Sequence, residues 1–88
     1  MKYRFPDRVL VQKVAAETVL LDMDKGEYFE LNQMGAGMLE QLRSTGTFEL
    51  ALAALQARYD VDGERLERDF GTLIAELEAQ GLLMREKE

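Results

Sequence analysis

The chain has 88 residues, 47% of them apolar, and a formal net charge of −6. It contains no Cys and no His, which excludes disulfide frameworks, thiol nucleophiles, the usual zinc sites and triads with a His base. The acidic balance argues against nonspecific binding to nucleic-acid phosphates and mildly favours a neutral or basic partner, although it also serves solubility.

The N-terminus, Met1-Lys2-Tyr3-Arg4-Phe5-Pro6-Asp7-Arg8, is too polar for a secretion signal. The longest apolar run is Leu50-Ala51-Leu52-Ala53-Ala54-Leu55, too short to span a membrane. A cytoplasmic protein is therefore expected. A chain of this size buries only about 60–65% of its unfolded surface. One modestly stable domain over residues 1–88 is expected, with its core from about 9 to 84.

Val9-Leu10-Val11-Gln12-Lys13-Val14 reads as a first strand, with Pro6 upstream. Ala15-Ala16-Glu17 is a short connection, and Thr18 to Met23 reads as a second strand. Asp24-Lys25-Gly26 fits a three-residue hairpin loop with Gly26 in the left-handed conformation. Glu27 to Leu31 follows as a third strand, with Phe29 and Leu31 on one face and Tyr28 and Glu30 on the other. Two successive hairpins give a meander of order 1-2-3, so the third strand is an edge whose backbone is open to a partner.

The strand runs directly into a helix. Asn32 caps this first helix, which continues to about Arg43 with an apolar stripe of Met34, Met38, Leu39 and Leu42. Gly35 and Gly37 inside it suggest close packing, since each costs about 1 kcal/mol relative to Ala. Ser44-Thr45-Gly46 ends the helix.

Thr47 caps a second helix lined by Phe48, Leu52, Leu55 and Tyr59. Tyr59-Asp60-Val61 connects to a third helix, capped by Asp62 and reaching about Gln80. Its buried stripe is Leu66, Phe70, Leu73, Ile74 and Leu77, and Gly81 is its C-terminal cap. Leu82-Leu83-Met84 reads as one further extended segment and Arg85 to Glu88 as a frayed tail. The organisation predicts an α+β, winged-helix-like fold: an N-terminal three-stranded antiparallel sheet followed by three helices.

Little here points to catalysis. Gly35, Gly37 and Gly46 lack phosphate-loop spacing and no Lys follows. Asp22 and Asp24 suit turn geometry. Asp60 and Asp62 resemble the start of a calcium loop, but Gly63 comes too early and the twelfth-position ligand is missing. A hydrolytic carboxylate pair needs a cleft that so small a chain barely offers. No enzyme activity, metal or cofactor is expected.

Two features have both a structural and a functional reading. Tyr28 either covers apolar surface or borders a groove beside the open edge, where strand addition would draw affinity from main-chain hydrogen bonds. Gly71, on the flank of the third helix with Glu67 and Glu78, permits close approach of either the first helix or an incoming chain.

The order of these motifs resembles the PqqD family, the small proteins that contain the RiPP recognition element. The resemblance rests on Val19-Leu20-Leu21-Asp22, on Gly26-Glu27-Tyr28-Phe29-Glu30-Leu31-Asn32, and on Gly35-Ala36. It continues through Ala54-Leu55, Tyr59-Asp60-Val61, Asp69, Leu73, Leu77 and Gly81-Leu82-Leu83. This chain departs from the family pattern in having no Trp near Met38-Leu39 and in its segment before Val9.

The resemblance implies a noncatalytic peptide chaperone. Such proteins bind the leader of a ribosomally made precursor and deliver it to a modifying enzyme. The enzyme would be a radical SAM protein, as in pyrroloquinoline quinone synthesis, or a peptidase or cyclase, as in lasso-peptide and related pathways. The implied peptide site is the third strand, Glu27, Tyr28, Phe29, Glu30 and Leu31, with Asp69, Leu73, Ile74 and Leu77 on the third helix. A monomer or weak homodimer is expected, with no nucleic acid and no membrane as partner. The alternatives are a DNA-binding winged helix, which would need a more basic third helix, and a small dimerisation module whose edge pairs with itself.

Overall fold

Two short hairpins in succession build the sheet that carries the open edge. The computed structural model of the chain describes residues 2–15, 17–60 and 62–86. It contains β1 (Lys2–Arg4), β2 (Val9–Val14), β3 (Glu17–Asp22), β4 (Glu27–Leu31), α1 (Gln33–Thr45), α2 (Phe48–Arg58), α3 (Gly63–Ala79) and β5 (Met84–Glu86). The main sheet is antiparallel, in the order β2-β3-β4. Its registers run from Val9↔Asp22 to Val14↔Glu17 and from Asp22↔Glu27 to Thr18↔Leu31.

The alternation of side chains gives this sheet a buried face and an open face. Val9, Thr18, Leu20, Asp22 and Leu31 are buried, while Leu10, Val14 and Tyr28 on the other face are exposed. α1 packs against β3 and β4 on the buried face, α2 and α3 pack against α1 and each other, and Leu20, Leu42, Leu55, Phe70 and Leu77 fill the centre of the core. Phe48 stacks on Phe70, with ring centroids 4.8 Å apart, and joins α2 to α3.

The helix ends follow their local chemistry. The side chains of Asn32, Thr47 and Asp62 accept from the backbone N–H groups of Gly35, Leu50 and Glu64. At the end of α3 the Leu82 N–H donates to the Leu77 carbonyl at 2.8 Å and the Gly81 N–H to the Glu78 carbonyl at 3.0 Å. With Gly81 at φ +74°, this is a Schellman motif, and it turns Leu82 and Leu83 back into the core.

The structure departs from the sequence expectation in three places. The second hairpin loop has four residues, Met23 to Gly26, not three. The Asp22 carboxylate accepts from the Asp24 and Lys25 N–H groups, and this side-chain turn draws Met23 into the loop. Gly26 is left-handed as expected, at φ +68°. Second, Leu82 and Leu83 are core residues rather than strand, and extension begins at Met84. Third, Arg85 and Glu86 are not a frayed tail. They pair with Tyr3 and Lys2 in a separate two-stranded ribbon of β1 and β5. Arg85 Nε also donates to Glu78 at 2.9 Å, fixing the ribbon to α3. Expectations for Ala16, Val61, Lys87 and Glu88 lie outside the described residues.

Candidate functional site

The hydrogen-bond phase of the sheet decides which groups β4 offers. The Met23 N–H donates to the Arg8 carbonyl at 2.9 Å, so residue 23 points its backbone at the β2 side. Alternation along β3 then turns Leu21 and Val19 toward β2, and Asp22, Leu20 and Thr18 toward β4. Glu27, Phe29 and Leu31 therefore spend their backbone groups on β3. The N–H and C=O of Tyr28 and Glu30 point outward along the edge. Their side chains lie on the open face, where Tyr28 joins a cross-strand row with Leu21 and Leu10. Tyr28 is 67% exposed.

A cleft of about 510 Å³ lies between α1 and α3. Met34 and Met38 line it from α1, and Leu66 and Asp69 from α3, with Asp62 and Arg65 also on its wall. Met34 sits in the first turn of α1, which begins two residues after Leu31. The abrupt passage from strand to helix thus sets the cleft close to the end of the β4 edge. Asp69 faces Arg65 at 3.8 Å, an exposed pair within one helix. The charged lining of the cleft is Asp62, Arg65 and Asp69, two carboxylates to one cation, and the edge strand beside it carries Glu27 and Glu30.

The expected site residues fall into three groups. Glu27 to Leu31 form the edge strand, and Asp69 reaches the cleft. Phe29 and Leu73 are half-buried against the core. Ile74 and Leu77, at 4% and 0% exposure, belong to the core and offer no free surface. The helical period identifies the apolar face of α3 but not how much of it the other helices cover. On sequence alone Met34, Met38 and Leu66 belong to buried stripes, and Arg65 counts only toward the DNA-binding alternative. The available signal was the pair Met34 and Met38, one turn apart immediately after an edge strand.

Gly37 and Gly71 differ in their surroundings. A Cβ on Gly37 would come within 3.0 Å of the Tyr59 hydroxyl, whereas one on Gly71 would meet nothing within 4 Å. Gly71 therefore does not accommodate α1. Among the described residues no cluster of acidic side chains is arranged to hold a metal ion, and no helix is long and apolar enough to cross a membrane.

Comparison with known proteins places this geometry. The family model described as Coenzyme PQQ synthesis protein D (PqqD) matches residues 17–83. The solved structure of TbiB1 in complex with the TbiA(beta) leader peptide is 30% identical over the whole of both chains, with a TM-score of 0.84. That of lasso peptide synthetase B1 complexed with the leader peptide is 26% identical, covers 97% of this chain and all of its own, and has a TM-score of 0.86. No curated protein sequence matches.

Proposed function

The chain belongs to the PqqD family, and from that premise we propose that it binds the leader of a ribosomally synthesised precursor peptide and presents it to a modifying enzyme. It acts as a chaperone, without catalysis of its own, in the cytoplasm and as a monomer or weak homodimer. The modifying enzyme is a radical SAM protein or a peptidase or cyclase. Two relatives of the same fold, TbiB1 and lasso peptide synthetase B1, are leader-peptide complexes and support this reading.

The observation that carries it is the β4 edge, where the outward backbone groups of Tyr28 and Glu30 stand near the cleft of Met34, Met38 and Leu66. A leader adds there as a fourth strand and draws affinity from the main chain. Its apolar anchors enter the cleft, and Asp69 meets a polar or basic position. Half-buried Leu73 contributes surface, and Ile74 and Leu77 support it from within.

Titration with a precursor leader peptide, the cognate one once a precursor gene is found beside this one, tests the proposal. Glu30→Pro removes an outward donor from an edge strand, where Pro is tolerated. Affinity should fall by about tenfold or more. Unchanged affinity in a folded Glu30→Pro protein would show that the leader docks elsewhere.

A further inference from the structure

The sheet has a second open edge. By the alternation that exposes Tyr28 and Glu30, the backbone groups of Leu10, Gln12 and Val14 turn inward to β3, and those of Val11 and Lys13 turn outward. The Val9 N–H is already taken by the Pro6 carbonyl at 2.9 Å. This edge has a trough of its own. A cavity of about 440 Å³ lies along Val9 to Val11, closed by Tyr3, Phe5, Leu42 and two arginines, Arg4 and Arg43. A smaller one of about 110 Å³ continues past Lys13 along α1, and the two share Val11 and Arg43.

The charge of this trough is opposite to that of the β4 side. Arg43 has no ion-pair partner among the described residues. Arg4 meets Glu86 at 3.5 Å and Lys13 meets Glu40 at 3.8 Å, both as exposed pairs. In a chain of net charge −6, the trough is nonetheless lined by three cations, Arg4, Lys13 and Arg43, and one carboxylate, Glu40. The two edges are two strand spacings apart, about 10 Å, so both can be occupied together.

We propose that the β2 edge is a second strand-docking site, which takes an acidic, extended segment of a partner protein with alternating apolar side chains. The apolar residues of that segment enter over Val9 and Val11, its main chain pairs with Val11 and Lys13, and its carboxylates meet Arg4 and Arg43. Opposite charge at the two edges sorts the strands, because a segment suited to one edge is repelled by the other. The inference stands apart from leader binding at β4.

The test follows backbone amide resonances of the full chain during titration with a short peptide of alternating Val and Glu. The control is the same peptide with Lys in place of Glu. The acidic peptide should shift Val11 and Lys13 saturably, with or without leader, and the basic peptide should leave them unmoved. The double variant Arg4→Glu, Arg43→Glu should weaken the acidic peptide by about tenfold. Lys13→Pro deletes an outward donor without touching either arginine and should weaken it as well. No shift, equal response to both peptides, or shifts at Tyr28 and Glu30 instead would overturn the proposal. So would sedimentation showing self-association that leader dissolves, since the occupant of β2 would then be the β4 edge of a second copy. Leader affinity is read in the same samples, so either site can fail while the other stands.

Discussion

The Arg8 guanidinium donates to the carbonyl oxygen of Gly81 at 2.6 Å, joining the start of β2 to the turn that ends α3. Its Nε also faces the Asp22 carboxylate at 3.4 Å. One side chain thus ties together the N-terminal segment, the β3–β4 loop and the C-terminal end of α3. Arg8→Ala should destabilise the fold by about 1.5–3 kcal/mol, the usual cost of losing a hydrogen bond to a charged group in a partly buried place. Arg8→Lys should recover only part of this, because one ammonium cannot reproduce the planar fork that serves both partners. Denaturant unfolding of the three proteins checks the order.

Asp22 gives stability a pH dependence of defined sign. Burial pushes its carboxyl up, but the N–H groups of Lys25 and Asp24 and the nearby Arg8 outweigh that, and the net displacement is below the ordinary 3.8. A depressed folded value means that the contribution is complete above the unfolded value, about 3.9, and is lost as pH falls through the folded one. Thermal unfolding should therefore show a loss of stability that begins below about pH 4. Asp22→Asn should be less stable at neutral pH and should lose less on acidification. Parallel curves for the two proteins would contradict this account.

Much of this architecture was legible because it is locally encoded. Asn32, Thr47, Asp62, Gly46 and Gly81 act within one turn of the chain, and each sits at the helix end expected for its type. The meander was legible because period-two alternation and a left-handed Gly26 fix two short hairpins. The β1–β5 ribbon was not. Its strands have three residues each, lie at opposite ends of the chain, and are largely exposed, so no local pattern announces them. The edge strand followed from topology alone, whereas the α1–α3 cleft depends on how two helices pack. Periodicity cannot tell a stripe residue on the wall of such a cleft from one enclosed in the core, as Leu66 and Ile74 illustrate.

The phase of the β4 ladder separates two neighbouring positions. Phe29 turns its N–H to β3 and is half-buried against the core, whereas Glu30 turns its N–H outward. Phe29→Pro should cost about 3 kcal/mol or more, since it removes an internal ladder bond and a packed ring. Glu30→Pro should cost far less stability while weakening leader binding. Chemical denaturation alone, without any peptide, distinguishes the two. Similar losses at both positions would mean that the ladder has the opposite phase.

Gly71 lies in the middle of α3, where an added Cβ would meet nothing within 4 Å. A mid-helix glycine is destabilising relative to Ala by about 0.5–1 kcal/mol, so Gly71→Ala should raise stability by that amount. Its flank, with Glu67 and Glu78, is opposite the one that carries Asp69. If the leader follows β4 and the α1–α3 cleft, its affinity should not change. A stabilised Gly71→Ala protein with weakened leader binding would move the docking path to the Gly71 flank.

Asp69 isolates the electrostatic part of recognition. Its contact with Arg65 is long and exposed, at 3.8 Å, with 57% of the Asp69 side chain accessible. Exposed pairs of this kind contribute about 0–1 kcal/mol, so Asp69→Lys should leave stability nearly unchanged. It also lines the cleft beside Asp62, where the local charge is negative apart from Arg65. Reversal there should weaken a leader with a basic residue opposite the cleft, chiefly through slower association, and should reduce the salt dependence of binding. Association rates at low and high ionic strength resolve this from a packing effect. A packing effect would change dissociation and persist at high salt, whereas the charge effect should shrink as salt screens it.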